Sequence, residues 1–335
     1  MPPTEALQTS DATMKWSSIE DDIKSALQEI EKERIPVLKE AAKDILRYGL
    51  PLSVVVYVLA TIYEFFEVKA YGFSIYLAVA ALIATIVYFS WEAYSKMKGL
   101  YMEKIMPLLM RPLTTNEKDT VRRTDKTTPF YQLVKRNLFN NGLNKVNIKV
   151  DDCMMGKTGD TRFNFGEAEF TNAYDHSRFG RWFKDRLLFK GIVFTATFNK
   201  EFKGNVFVST RRRWRTMGRN PFFRSIMTED ISFNKAFHVS TTDEQQAFYV
   251  LSTSLIEKLT QLHAHVRQTI HERHMVVYFA GHQIIILIPT LRDRFEPGML
   301  RPLTINSIRD DFFTLNIMLT LVDELNLNTR IWTKQ

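Results

Sequence analysis

Two long apolar runs constrain this chain more than anything else in it. LPLSVVVYVLATIYEFF (Leu50–Phe66) and FSIYLAVAALIATIVYFSW (Phe73–Trp91) are separated only by EVKAYG. A helix crosses the hydrocarbon core of a bilayer with about 20 residues. Backbone groups in lipid must be satisfied within the segment, so helices are the expected form. No Asp, Glu, Lys or Arg stands between Leu50 and Tyr63 or between Phe73 and Trp91. Tyr48, Tyr63, Phe65, Phe66, Tyr71, Phe73, Phe89 and Trp91 bracket the runs as interfacial belts do. Residues 48–91 therefore read as a transmembrane helical hairpin. The competing reading is a helical hairpin buried in a large soluble core, which rarely holds two such runs in tandem.

Lys and Arg counting orients the hairpin. Lys32, Arg34, Lys39, Lys43 and Arg47 precede it, and Lys96, Lys98 and Lys104 follow; the turn holds only Lys69, beside Glu64 and Glu67. Both termini are expected in the cytoplasm, with a short turn outside. Met1–Lys15 has no apolar core and does not read as a cleavable signal. Ala80 and Ala84 stand at a small-xxx-small spacing that permits close helix packing. With no charge inside either run, the hairpin reads as an anchor, not a channel or transporter.

Charge is unevenly placed. The first 91 residues carry 8 Lys/Arg against 12 Asp/Glu; the remaining 244 carry 37 against 25. A basic domain beside an anionic leaflet is drawn toward it; nucleic acid is the other natural partner of such a surplus. The single cysteine, Cys153, cannot form an internal disulfide, which suits a reducing cytoplasm.

Taken in order, residues 1–15 read as a disordered polar leader. Residues 16–47 form an amphipathic helical segment, with Trp16, Ile19, Ile23, Ala26, Leu27 and Ile30 at spacings of three and four. Pro36 is expected to kink or interrupt it. Residues 92–128 read as a juxtamembrane helix, ended by Pro107 and Pro112, and then a linker. Residues 129–335 read as a cytoplasmic α+β domain of antiparallel strands with segregated helices. It opens with a short helix, Phe130–Phe139. Strand alternation begins at Val146, Ile148 and Val150 and continues through Phe163–Phe170, with turns at Asp151-Asp152 and Gly156–Gly159. Leu187–Asn199 and Phe202–Thr210 read as a hairpin about Lys200-Glu201, and Met275–Ala280 and Gln283–Ile288 as another about Gly281-His282. Phe237–Ser240 and Phe248–Leu251 are short strand candidates. Thr253–Val266 and Ile308–Leu325 read as helices.

Three constellations could carry chemistry. In RRRWRTMGR, the basic residues Arg211, Arg212, Arg213, Arg215 and Arg219 surround Trp214. That composition suits anionic lipid or a nucleic-acid backbone with base stacking; the plain reading is an exposed loop. His263, His265, His271 and His274 would need converging nitrogens to hold zinc; His263 and His265, two apart, do not share a helix face. The carboxylates Asp151, Asp152, Glu167 and Glu169 could do acid–base work or hold a metal, but they flank turns and alternate along strands. Glycine-rich phosphate loops, GxSxG and CxxC are absent.

DDCMMGKTGDTRFNFGEAEF (Asp151–Phe170), LFKGIVFTATFNKEFKGNVFV (Leu188–Val208), FNKAFHVSTTDEQQAFYVLSTSLIEKLTQL (Phe233–Leu262) and FEPGMLRPL (Phe295–Leu303) follow in an order that resembles the bacterial DUF3137 family. The resemblance covers roughly residues 90–330. It implies a membrane protein with a helical leader, two spans and a cytoplasmic α+β domain, and implies no activity. The family pattern places an acidic residue and an arginine around Ala247, where this chain has Gln246 and Phe248; the 211–219 stretch lies in a region that varies.

The expectation is a membrane-anchored, non-enzymatic binding or scaffold protein of the bacterial inner membrane, with no cofactor and no metal. Its basic domain would meet a protein partner or an anionic membrane surface, with Arg211–Arg219 as the candidate contact. Self-association through the leader stripe or Ala80/Ala84 stays open, and nucleic acid is the less favoured partner. The alternative is an enzyme acting on a membrane-associated substrate, through residues such as Asp151, Glu167 and His238 that meet only in the fold.

Overall fold

The computed structural model describes residues 10–66, 73–114, 121–123, 145–159, 161–173, 186–210, 223–290 and 303–330. The chain divides into two compact units. One comprises Ile19–Leu108 with Phe295–Ile308; the other comprises Met1–Ser18, Leu109–Arg294 and Arg309–Gln335.

The first unit is helical. α2 (Glu20–Asp44) passes through a single π-helical turn (Ile45–Gly49) into α3 (Leu50–Phe66). α4 (Phe73–Lys104) runs back beside them. Pro36 does not interrupt α2, although its missing N–H and ring bulk were expected to do so; it lies on an exposed side of a helix held by its seam. That seam holds the buried Ile23, Leu27 and Ile30 of α2 and Ala93, Met97 and Tyr101 of α4. Beyond α4 come a short helix α5 (Met106–Met110) and a 3-10 turn through Leu113, at the prolines where the helix was expected to stop.

The second unit is an antiparallel sheet with helices. α1 (Ser10–Ser17) belongs to it, so part of the stretch read as a disordered leader is helical. Its strands are β1 (Val121–Arg123), β2 (Lys145–Thr158), β3 (Thr161–Ala173), β4 (Arg186–Ser209), β5 (Arg224–Ile226), β6 (His238–Thr241) and β7 (Val276–Pro289). Among the described residues the sheet order is β1-β2-β3-β4-β6-β5, with β7 on the other side of β4. The helices are α6 (Ile231–Ala236), α7 (Glu244–Val250), α8 (Thr253–His265), extended by a π turn to Ile270, and α9 (Ile305–Arg330).

The largest correction concerns the centre of the sheet. β4 and β7 are each one long strand, not hairpins. β4 pairs with β7 from Gly191↔Pro289 to Ser209↔Val276, and the register slips between Thr197 and Asn205. Both suspected turns fall at that slip: Phe202 is paired with Gly281. An irregularity in a ladder needs the same polar and glycine residues as a turn, because unpaired backbone is exposed in both. Asp151-Asp152 is corrected likewise: it is a bulge inside β2, where pairing with β3 jumps from Asp151 to Met154. Of the expected turn Gly156–Gly159, the first three residues lie in β2, and Gly159, with φ +56, follows its end. Phe248–Leu251 is not a strand, since Phe248–Val250 ends α7, whose start is capped by the Asp243 carboxylate accepting from the Gln246 N–H at 3.1 Å. Val121–Arg123, read as linker, pairs with β2. The expected helix Phe130–Phe139 lies outside the described residues.

Ile192, Val193 and Phe194 of β4 and Ile284–Ile288 of β7 are all fully buried. Successive strand residues point to opposite faces, so both faces of the central pair are covered. One of them carries Phe170, Phe189, Phe207, Tyr278, Ile285 and Leu287 as a single cluster. α8 and α9 meet through Lys258, whose ammonium donates to the Thr320 carbonyl at 3.4 Å, and through His265. α1 is seated on α9: Trp16 is 3% exposed and its ring lies 5.5 Å from that of Phe312.

Candidate functional site: the apolar hairpin and its stalk

The α2–α3 helix runs 46 residues from Glu20 to Phe65, about 69 Å at 1.5 Å per residue. Cross-contacts step down one helix as they step up the other. Glu29 pairs with Lys104 and Glu40 with Lys96; Tyr48 stacks on Phe89 at 6.1 Å; Gly49 faces Thr85; and Glu64 meets the start of α4, accepting from the Ser74 N–H at 2.7 Å. This last bond satisfies one of the orphan N–H groups at a helix start and places a carboxylate at its positive end. The approach at Gly49 is close: an added Cβ would stand 3.2 Å from the Thr85 side chain, which would have to give way slightly.

The two segments differ in what they expose. In the stalk, α2 with the end of α4, the outward residues are mostly charged, with Ile35 the large apolar exception. In α3 and the first half of α4 they are Val54, Val55, Val58, Leu59, Ile62, Ile75, Val79, Ile83 and Val87. Both helices are long and apolar enough to cross a membrane, and only 6% of each apolar window is buried. A core helix of a soluble protein would be mostly covered; among the described residues, little covers these two windows. Three hydroxyls in the apolar helices bond their own backbone: Ser53, Thr61 and Thr85 donate to the carbonyls of Leu50, Tyr57 and Ala81. Exposed aromatics mark both ends, Tyr48 and Trp91 at one, Tyr63, Phe65 and Tyr76 at the other. They are 15–17 residues apart along each helix, about 22–26 Å, close to the thickness of a hydrocarbon core.

The basic stretch Arg211, Arg212, Arg213, Trp214, Arg215 and Arg219 lies outside the described residues, as does the turn at 67–72. Strand register sets Asp151 and Glu167 far from His238. Asp151 and Glu167 are register partners on β2 and β3, and Glu167 is level with Ile192 and Ile288. His238 is level with Ser209 and Val276. Twelve residues of β7 separate those two levels, about 40 Å. Glu169 sits between Lys149 and Lys190 in a cross-strand row.

The histidines have separate settings. His263 is half-buried, with its ring edge on Phe237 at 5.2 Å and Nε2 donating to the Arg273 carbonyl at 3.3 Å. Burial pulls its pKa down; the carbonyl bond opposes this, and nearby Arg267 adds to it. His265 is buried with Nε2 3.0 Å from Thr314 Oγ1. His271 ends the π turn in left-handed backbone, φ 59. Among the described residues, no three His, Cys, Asp or Glu side chains form a group that could hold a metal ion.

The sequence reading missed how α1 is held. Its signal was present in the Trp16 stripe, but the partner, Phe312, is almost three hundred residues away.

Residues 187–327 match the family described as a protein of unknown function, DUF3137, in keeping with the resemblance drawn from the sequence. No curated protein matches the chain. Among solved structures, the mycobacterial trehalose monomycolate transport factor A, TtfA, aligns over 51% of this chain and 75% of its own, at 9% identity and a TM-score of 0.26.

Proposed function

We propose that this protein is a membrane-anchored binding protein of the bacterial inner membrane. In this reading α3 and the first half of α4 cross the bilayer, and the sheet unit serves as a cytoplasmic module for a protein partner or an anionic surface. The observation that carries it is the pair of long helices whose apolar sides stand uncovered among the described residues. A second observation supports the topology. The segment before the first span and the domain after the second form one unit, joined by Trp16 on Phe312. Chain on either side of a hairpin can share a core only if both flanks lie on the same side. Lys and Arg counting then favours the cytoplasm for that side.

The binding role, as against an enzymatic one, is supported by the separation of Asp151 and Glu167 from His238 across the sheet. The anchor is tested in native membranes with single cysteines at Met14, Lys69 and Glu229 and a membrane-impermeant maleimide. Position 69 should label in cells whose inner membrane is intact, and positions 14 and 229 only after it is opened. The protein should also stay in the pellet at alkaline pH. Release at alkaline pH, or labelling of 14 and 229 from opposite sides, would sink the proposal.

A further inference from the structure

We propose that the turn from Arg224 to Lys235 is a second membrane contact, through which the sheet unit touches an anionic bilayer surface. The inference rests on the anchor reading above. Among the described residues outside the apolar hairpin, Met227 and Ile231 are the most exposed large apolar side chains, at 80% and 71%. Single exposed apolar residues are ordinary, but these two stand in one turn, and the turn is rigid. The Thr228 N–H and hydroxyl both donate to Asn234 Oδ1, at 2.9 and 3.0 Å, and Asn234 Nδ2 donates to the Thr228 carbonyl at 2.7 Å. The Asp230 carboxylate accepts from the Ser232 and Phe233 N–H groups and starts α6. Phe233, in the first turn of α6, is buried and stacks on Phe237. Met227 and Ile231 are thus left outside by construction, not by slack.

Their neighbours fit an interface. Arg224 and Lys235 are exposed, and Lys235 is one helical turn from Ile231, on the same face of α6. Glu229 and Asp230 balance these charges locally, with Asp230 engaged as the cap. The preference for an anionic surface comes from the domain, where residues 92–335 carry 37 Lys/Arg against 25 Asp/Glu. Two protruding aliphatic side chains flanked by cations enter a headgroup boundary readily. They lack the buried aromatic anchors of a protein hot spot. The hairpin keeps the bilayer at high effective concentration, so a weak contact is enough.

The test uses the full chain in nanodiscs of phosphatidylcholine with or without phosphatidylglycerol. Single NBD labels are placed at Met227→Cys, Ile231→Cys, Lys203→Cys and Val55→Cys; Cys153 is buried. With phosphatidylglycerol, NBD at 227 and 231 should shift to the blue and be quenched at least twofold by shallow spin-labelled lipid, while 203 is not. Quenching should fall in phosphatidylcholine alone and in the Arg224→Gln/Lys235→Gln variant. If 227 and 231 stay as solvent-exposed as 203 while 55 is quenched, this contact is wrong and the anchor stands. If 55 is not quenched, the anchor itself fails. A blue shift at 227 and 231 without lipid quenching means that protein covers them, which also overturns the proposal.

Discussion

Replacing Trp16 by alanine tests whether α1 is an integral part of the sheet unit. The indole is almost completely buried and lies against Phe312. Removing such a side chain costs about 3–5 kcal/mol, of which the ring pair itself supplies about 0.5–1.5 kcal/mol. α1 has eight residues, too few to persist as a helix without a docking face, so the substitution should free it rather than shift it. For a unit of this size each kcal/mol moves the midpoint by about 2–4 °C, so Tm should fall by about 6–20 °C. The assay is thermal unfolding of the full chain in detergent, followed by near-ultraviolet circular dichroism. Met14→Ala is the control: it lies on the same helix, is 64% exposed, and should change stability by no more than about 0.5 kcal/mol. If Trp16→Ala and Met14→Ala unfold together at the parental midpoint, α1 is not docked, and the structural argument for a shared side of the membrane goes with it.

Other perturbations follow from close contacts and from titration. Gly49→Leu forces a branched side chain against Thr85 and should destabilise the helical hairpin by about 1–3 kcal/mol, seen as a lower midpoint in the same detergent. Gly191 has φ +151, and a Cβ there would collide with the Ile288 carbonyl; Gly191→Ala should cost more than about 2 kcal/mol and reduce the yield of folded protein. His263 has its pKa lowered by burial, so the unfolded chain binds its proton first as pH falls. The sign is therefore a loss of stability on acidification below about pH 6.5, and His263→Gln should flatten the dependence of midpoint on pH in that range.

Much of this protein is legible in its sequence because the decisive interactions are with solvent or are local. The apolar runs, the absence of charge between Leu50 and Tyr63, and the belts at Tyr48 and Trp91 report the environment that each stretch can tolerate. Neighbouring residues suffice to judge that. Helices fared likewise where the period was sustained, as in Ile308–Leu325 within α9. Only tertiary structure decided the rest. Lys200-Glu201 and Gly281-His282 carry the composition of turns, and the single fact that makes them irregularities in two long strands is that they face each other. Pairing between residues about eighty apart in sequence leaves no local signature. The separation of Asp151 and Glu167 from His238 along the sheet, and the seating of Trp16 on Phe312, are long-range facts of the same kind. The apolar hairpin is thus a property of composition, whereas the sheet unit's centre and the docking of α1 come from contacts between residues far apart in the chain.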